Sequence, residues 1–245
     1  MIGSSENENS GRRTMWHNKA FVGFDTETTG VNPLTSRIVT VSVIIDGGDF
    51  TEKYYRLADP GIPIPKAASD IHGITTEKAR EEGQPAQEVL TLAADLLAEQ
   101  MKAGNPVVAF NACYDLTLLN RELDRHGLPS LETRIGHRIA PVLDPYLLDK
   151  AADRYRRGKR TLEAVAKHYG VWENDAFHNA EADVLATLRV LKAILKRYPQ
   201  LQEQDFDSLM KIQETIHLDT AEYFRKRAQA TGRAYTQPVG WPISK

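Results

Sequence analysis

The segment Phe24-Asp25-Thr26-Glu27-Thr28-Thr29-Gly30 carries two carboxylates two residues apart, after an otherwise apolar run. On an extended chain that spacing puts Asp25 and Glu27 on one side. Like charges side by side at the end of a buried strand repel each other. Folding does not require them there, but a divalent cation does. The plain alternative is that Asp25 caps a turn and Glu27 is solvated. A second segment sets a third acid, Asp115, in the first turn of a helix that follows a short apolar run, where the helix dipole alone would favour it. A third segment, Phe177-His178-Asn179-Ala180-Glu181-Ala182-Asp183, sets Asp183 in the first turns of a Leu-lined helix, with His178 just before it. A lone histidine at a helix start is more often an ordinary surface residue.

Taken together, the acids lie where strands end and helices begin, the places at which α/β folds gather their sites. The negative charge of Asp25, Glu27, Asp115 and Asp183 matches two Mg²⁺ or Mn²⁺ ions, which suits a two-metal phosphodiesterase centre with ions roughly 3.5–4 Å apart. A neutral His178 beside it can take a proton from the attacking water. Asp144 and Asp149 are two more acids nearby; Asp144 ends a strand and reads as structural, because the four-acid set is already complete. Arg154-Tyr155-Arg156-Arg157-Gly158-Lys159-Arg160 puts five basic residues in seven. A basic loop with an aromatic suits phosphate contacts and stacking on a single-stranded base. Five neutralised phosphates would give a log-affinity slope against log salt of about −3.5. A solvated loop is the bland alternative.

These elements need a scaffold. Residues 19–26, 37–45 and 49–57 read as three strands with short connections, an antiparallel meander. Residues 84–101 have helical apolar spacing, and 106–110 is a short buried strand. Residues 114–126 read as a helix, 141–144 as a strand, and 161–169 and 180–198 as helices. Helix–strand alternation after a meander predicts an α/β mixed sheet flanked by helices. Pro199 ends this domain. Phe206, Leu209, Ile212, Ile216 and Tyr223 then follow a helical pattern, predicting one more long helix on the body and a mobile tail containing Gly232, Pro238, Gly240 and Pro242. Residues 1–14 are polar and read as a disordered tail.

Composition limits the alternatives. The chain has 245 residues, 41% of them hydrophobic and 26% charged, with a formal net charge of −2. That balance excludes binding nucleic acid by bulk charge but allows a local basic patch. The one cysteine, Cys113, excludes an intramolecular disulfide and a Cys-cluster zinc site. No apolar stretch approaches the roughly 20 residues of a spanning helix, and residues 1–14 lack the apolar core of a secretory signal. The expectation is a cytoplasmic protein with no membrane association.

The sequence resembles the DnaQ-like 3′–5′ exonucleases of the DEDDh type, in the ribonuclease-H-like superfamily, to which the DNA polymerase III epsilon-like exonuclease domain belongs. Asp25-Thr26-Glu27-Thr28-Thr29-Gly30 matches the first motif, Asn111-Ala112-Cys113-Tyr114-Asp115-Leu116 the second, and His178-Asn179-Ala180-Glu181-Ala182-Asp183 the H-x-A-x-x-D third. Ile71-His72-Gly73-Ile74-Thr75 and Arg160-Thr161-Leu162-Glu163-Ala164 match segments that accompany them. Asn179 occupies the place of the tyrosine that marks the sister type. The likeness covers about residues 17–198, implying an exonuclease domain over 15–198 and a helical extension and tail over 199–245.

The resemblance implies removal of nucleoside 5′-monophosphates from a 3′ end, with DNA proofreading or repair as the favoured setting. Asp25, Glu27 and Asp183 would hold the metal pair, Asp115 would bind the second ion, and His178 would be the general base. Thr28 and Thr29 would contact the terminal nucleotide. His72, Phe110 and Asn111 are candidate substrate-wall residues, and Arg156, Arg157 and Lys159 candidate phosphate contacts. The partner would be a single-stranded or frayed DNA 3′ end, with a DNA polymerase or other replication protein as a further candidate. The same chemistry on RNA and a non-catalytic binding module are the alternatives.

Overall fold

The computed structural model describes residues 19–173, 180–234 and 239–244. Its centre is the meander β1 (Phe21–Thr28), β2 (Ile38–Asp46) and β3 (Thr51–Asp59). β2 is buried along nearly its whole length, as its Val and Ile on both faces require. Two dipeptide strands, β5 (Val107–Val108) and β6 (Val142–Leu143), add parallel to β1 in turn. A third short strand, β4 (Gln84–Pro85), adds parallel to β3 at the opposite edge. The strand order is β4-β3-β2-β1-β5-β6.

Helices cover both faces. On one side α3 (Ala86–Lys102), α4 (Ala112–Arg125) and α5 (Leu131–Ile135) pack on Val22 and Phe24. On the other, α7 (Leu162–Tyr169) and α8 (Ala180–Arg197) pack on Phe21 and Ile44 through Val184, Leu188 and Leu191. The short helices α1 (Lys66–His72), α2 (Thr76–Glu82) and α6 (Pro145–Ala152) fill the connections. These three and α5, five to eight residues long, are absent from the sequence expectation.

The segment after Pro199 is tied into the body. α9 (Phe206–Ala230) buries Leu209, Met210 and Gln213. Gln213 Nε2 donates to Val142 O at 3.1 Å, and its Oε1 accepts from Asp144 N at 2.6 Å, so the helix completes the open edge of β6. The expected mobile tail is corrected at its end. Trp241 joins the core, Ser244 N donates to Thr117 Oγ1 at 2.8 Å, and the Cys113 thiol donates to Gly240 O at 3.1 Å. The apolar Trp241 and Ile243 drive this return onto α4. Among the described residues no helix is long and apolar enough to cross a membrane.

Candidate active site

β1 continues to Thr28, so Asp25 and Glu27 stand within the strand and not beyond it. With Gly23 they share the face that α8 covers. A Cβ on Gly23 would run into Val184 Cγ1 and come within 3.0 Å of Leu188 Cδ1. The missing side chain lets α8 approach β1, and Asp183, one residue before Val184, arrives over the strand. Carboxylate oxygens of Asp25, Glu27 and Asp183 all lie within 4.8 Å of one another.

Asp115 comes from the other side of the sheet. It is buried in the first turn of α4, outside that group of three, and its Oδ1 accepts a 2.6 Å hydrogen bond from Thr26 Oγ1. Thr26 alternates with Asp25 and Glu27, so one strand supplies two acids to one face and the anchor of a third to the other.

The metal-free electrostatics are unfavourable to four ionised acids. Burial, then the charges of Asp115, Asp183 and Glu27, hold the Asp25 pKa well above the carboxylate range. Burial and Asp183 push Glu27 up to about 7. Burial pushes Asp115 up to about 7 although the Thr26 hydrogen bond opposes it. A divalent cation offsets both the repulsion and the lost hydration, so this donor set fits the hard cations that carboxylates bind.

Asp144 is held apart from that set. It is buried, and its oxygens accept from the backbone N–H groups of Asn111 (3.0 Å), Ala112 (3.0 Å) and Tyr146 (2.9 Å). These bonds fix the turn between β5 and α4, where Asn111 takes a left-handed φ of 64°.

The other sequence candidates fall into place unevenly. Thr28 Oγ1 donates to Gly30 O at 2.7 Å and lies 2.9 Å from Tyr114 Oη, which also donates to Gly30 O. Thr29 is buried; its Oγ1 accepts from Arg37 N at 2.9 Å, and its own N–H donates to Arg37 O at 3.0 Å. Both threonines therefore shape the loop after β1 with the groups expected to face substrate. His72 is buried at the end of α1, its Nδ1 accepting from Ile74 N at 3.2 Å, and burial keeps its pKa below the ordinary histidine value. Phe110 and Asn111 follow β5, the strand beside β1.

The basic loop divides. Arg156 and Arg160 turn inward onto the fully buried Asp149, Arg156 Nη2 at 2.9 Å, and Tyr169 Oη donates to the same carboxylate at 2.9 Å. Arg156 has only 8% of its side chain exposed and is committed to this pair, whereas Arg154, Tyr155, Arg157 and Lys159 are exposed. His178 lies outside the described residues, as do 174–177 and Asn179.

Two residues near the acids were missed by sequence reasoning. Ser42 pairs with Asp25 across the β1–β2 ladder, and its buried hydroxyl makes no hydrogen bond among the described residues. Tyr55 pairs with Ser42 in the next strand, and its hydroxyl pKa is raised by burial and by the charge of Glu27. The register of the predicted meander could have revealed both, since paired residues share a face.

A mixed sheet with three clustered acids at the β1–α8 contact defines the ribonuclease-H-like exonuclease fold. The exonuclease family, RNase T, matches residues 22–191, and the chain belongs to it. The DNA polymerase III PolC-type of Streptococcus suis (strain 98HAH33) is 30% identical over 178 residues, 72% of this chain and 11% of that protein. That of Streptococcus pyogenes serotype M1 is 29% identical over 182 residues, covering 74% and 11%. This chain therefore spans about a ninth of the length of these relatives. Exonuclease I from Methylocaldum szegediense superposes with a TM-score of 0.62 at 23% identity over 75% of this chain and 42% of that one. E. coli Exonuclease I in complex with a dA16 oligonucleotide gives 0.58 at 19% over 76% and 42%.

Proposed function

We propose that the chain is a metal-dependent exonuclease that releases nucleoside 5′-monophosphates from DNA 3′ ends, in replication proofreading or repair. The observation that carries this reading is the convergence of Asp25, Glu27 and Asp183 within 4.8 Å beside Asp115. When bound, two Mg²⁺ or Mn²⁺ ions would supply charge stabilisation to the attacking and leaving oxygens of the phosphodiester. Asp25, Glu27 and Asp183 would hold them, with Asp115 on the second. His178 would accept the proton of the attacking water. Phe110 and Asn111, next to the acids at the end of β5, would wall the terminal nucleotide, and His72 would buttress the loop after β1. DNA is favoured over RNA because the relatives described above are DNA polymerases and a structural neighbour was solved in complex with a deoxyoligonucleotide. The same relatives favour a DNA polymerase or other replication protein as partner.

A digestion series tests this reading. The substrates are single-stranded DNA, duplexes with and without a 3′ mismatch, and RNA, each with Mg²⁺ or Mn²⁺ and with EDTA. The expected result is cation-dependent release of mononucleotides from single-stranded and mismatched DNA, blocked by a 3′-phosphate and not by a 5′-phosphate. Cutting of circular strands, or faster digestion of RNA than of DNA, would overturn it.

A further inference from the structure

Outside the acid cluster, α6 and α9 enclose a groove of about 340 Å³. Tyr146 and Ile216 line it, Tyr223 and Phe224 stand along α9, and Arg154 and Arg160 reach it from the loop after α6. Tyr223 and Phe224 are 59% and 48% exposed, with ring centroids 5.4 Å apart in a T-shaped contact. An aromatic pair left this open on a water-facing helix is unexplained by folding. Lys150 fixes the groove's shape: its Nζ donates to Thr220 Oγ1 on α9 at 2.6 Å and lies 4.9 Å from the centroid of the Tyr146 ring. Arg154 is exposed and forms no ion pair among the described residues.

Aromatic contacts link the end of β5, the strand beside β1, to the groove. Val108 pairs with Gly23 in parallel; two residues further along each chain stand Phe110, in the turn just past β5, and Asp25, still within β1. The Phe110 ring lies 5.8 Å from that of Tyr146, which opens into the groove. Rings therefore run from the end of β5 across Phe110 and Tyr146 to Tyr223 and Phe224, with cations beside them and Asp219 as the one acid of the lining among the described residues. Alternating flat faces and cations is the chemistry that holds a single strand, whose bases stack while its phosphates pair. A protein or lipid partner would instead call for a continuous apolar face.

We propose that the α6–α9 groove binds the single-stranded nucleic acid upstream of the nucleotide being removed, with bases stacked on Tyr223 and Phe224 and a phosphate on Arg154. This rests on the exonuclease reading above. It gives the segment after Pro199 a function: it extends the binding site beyond the terminal nucleotide.

The test compares kcat/KM for a dinucleotide with that for a strand of about a dozen nucleotides, in the full chain with Mn²⁺. The parent should strongly prefer the longer strand. In the Tyr223→Ala/Phe224→Ala double variant the ratio of long to short should fall about tenfold or more. Arg154→Ala should flatten the log–log salt dependence for the long strand by about 0.7. Both substitutions lie on exposed side chains, and an unchanged thermal midpoint shows that the fold is intact. A ratio unchanged by the double variant, or an unchanged salt slope in Arg154→Ala, overturns the groove assignment. A parent that digests neither length overturns the exonuclease reading instead.

Discussion

Thr26 Oγ1 donates to Asp115 Oδ1 at 2.6 Å, joining the strand that carries Asp25 and Glu27 to the helix that carries the fourth acid. Thr26→Val keeps the shape and the strand preference but removes the donor. The hydrogen bond lowers an Asp115 pKa that burial raises, so its loss raises that pKa further. Asp115 then holds a proton to higher pH. We expect Thr26→Val to shift the acidic limb of the pH–rate profile to higher pH and to raise the Mn²⁺ concentration for half-maximal rate. The cost in stability should be about 1 kcal/mol. A profile superposable on the parent's would show that Asp115 is not held through Thr26.

Gly23 governs how closely α8 lies on β1. In Gly23→Ala the new methyl meets Val184, whose branched side chain has little room to turn. Overpacking of this kind costs about 1–3 kcal/mol. The displaced helix would carry Asp183 away from Asp25 and Glu27. The expected outcome is a loss of kcat about tenfold or greater, well beyond what the lowered melting temperature explains, with a crystal structure showing α8 moved outward. Retention of full activity would mean that the approach of α8 is not needed for the acid cluster.

The acid cluster should make the metal-free protein sensitive to alkali. Asp25 titrates well above the carboxylate range, and Glu27 and Asp115 near 7, so the folded chain keeps protons that the unfolded chain has released. The cluster's contribution to stability in EDTA is therefore fullest below about pH 4, the unfolded pKa range. It declines as pH rises through the folded values near 7. Adding Mn²⁺ should raise the melting temperature by about 3 °C or more at pH 8 and by less at pH 5. Asp25→Asn in EDTA should be at least as stable as the parent at pH 8. A metal-free protein that becomes more stable between pH 5 and 8 would contradict this account.

The acids and their faces were legible because strand alternation and helix starts are local properties. Asp25 and Glu27 share a face from their spacing alone, and the meander follows from β-branched runs and tight turns. What the sequence hid is set by distant partners. Arg156 looked like a phosphate contact, but Asp149, seven positions earlier, is buried and draws it inward together with Arg160. Thr28 and Thr29 read as contacts to the terminal nucleotide, but their hydroxyls engage Tyr114 and the backbone of Arg37. The strands expected over 106–110 and 141–144 are present as β5 and β6, but only two residues of each pair in the sheet, so their lengths were overread. The return of Trp241 and Ser244 to α4 depends on Thr117 and Cys113, more than a hundred residues earlier.

The division of the basic loop makes its own prediction. Arg157 and Lys159 are exposed, and replacing both by Ala should raise KM for DNA and flatten the log–log salt slope by about 1.4, with kcat little changed. Arg156→Ala should behave differently, because it strips a partner from the buried Asp149. Its main effect should be a destabilisation of about 3 kcal/mol, read by denaturant unfolding. If Arg156→Ala flattens the salt slope with no loss of stability, the inward pair does not persist in solution.

Asp144 fixes the start of the helix that carries Asp115 and lies outside the group of three clustered acids. Its carboxylate accepts from the N–H groups of Asn111 and Ala112 at the start of α4 and of Tyr146 at the start of α6. Asp144→Ala would leave these donors without their acceptor, and Asn111, already in a left-handed conformation, would lose what holds it there. The expected loss of stability is about 2–4 kcal/mol. Asp144→Asn retains one acceptor oxygen and can replace only part of the set, so its loss should be intermediate. Because Asp115 is in the first turn of α4, a loosened turn lets that acid drift from the cluster. Both variants should therefore need more Mn²⁺ for half-maximal rate, and excess Mn²⁺ should recover most of kcat in Asp144→Asn. A direct ligand would give the opposite pattern, a loss of kcat that Mn²⁺ does not recover with little change in stability. That result would move Asp144 from the frame of the site into the cation-binding set.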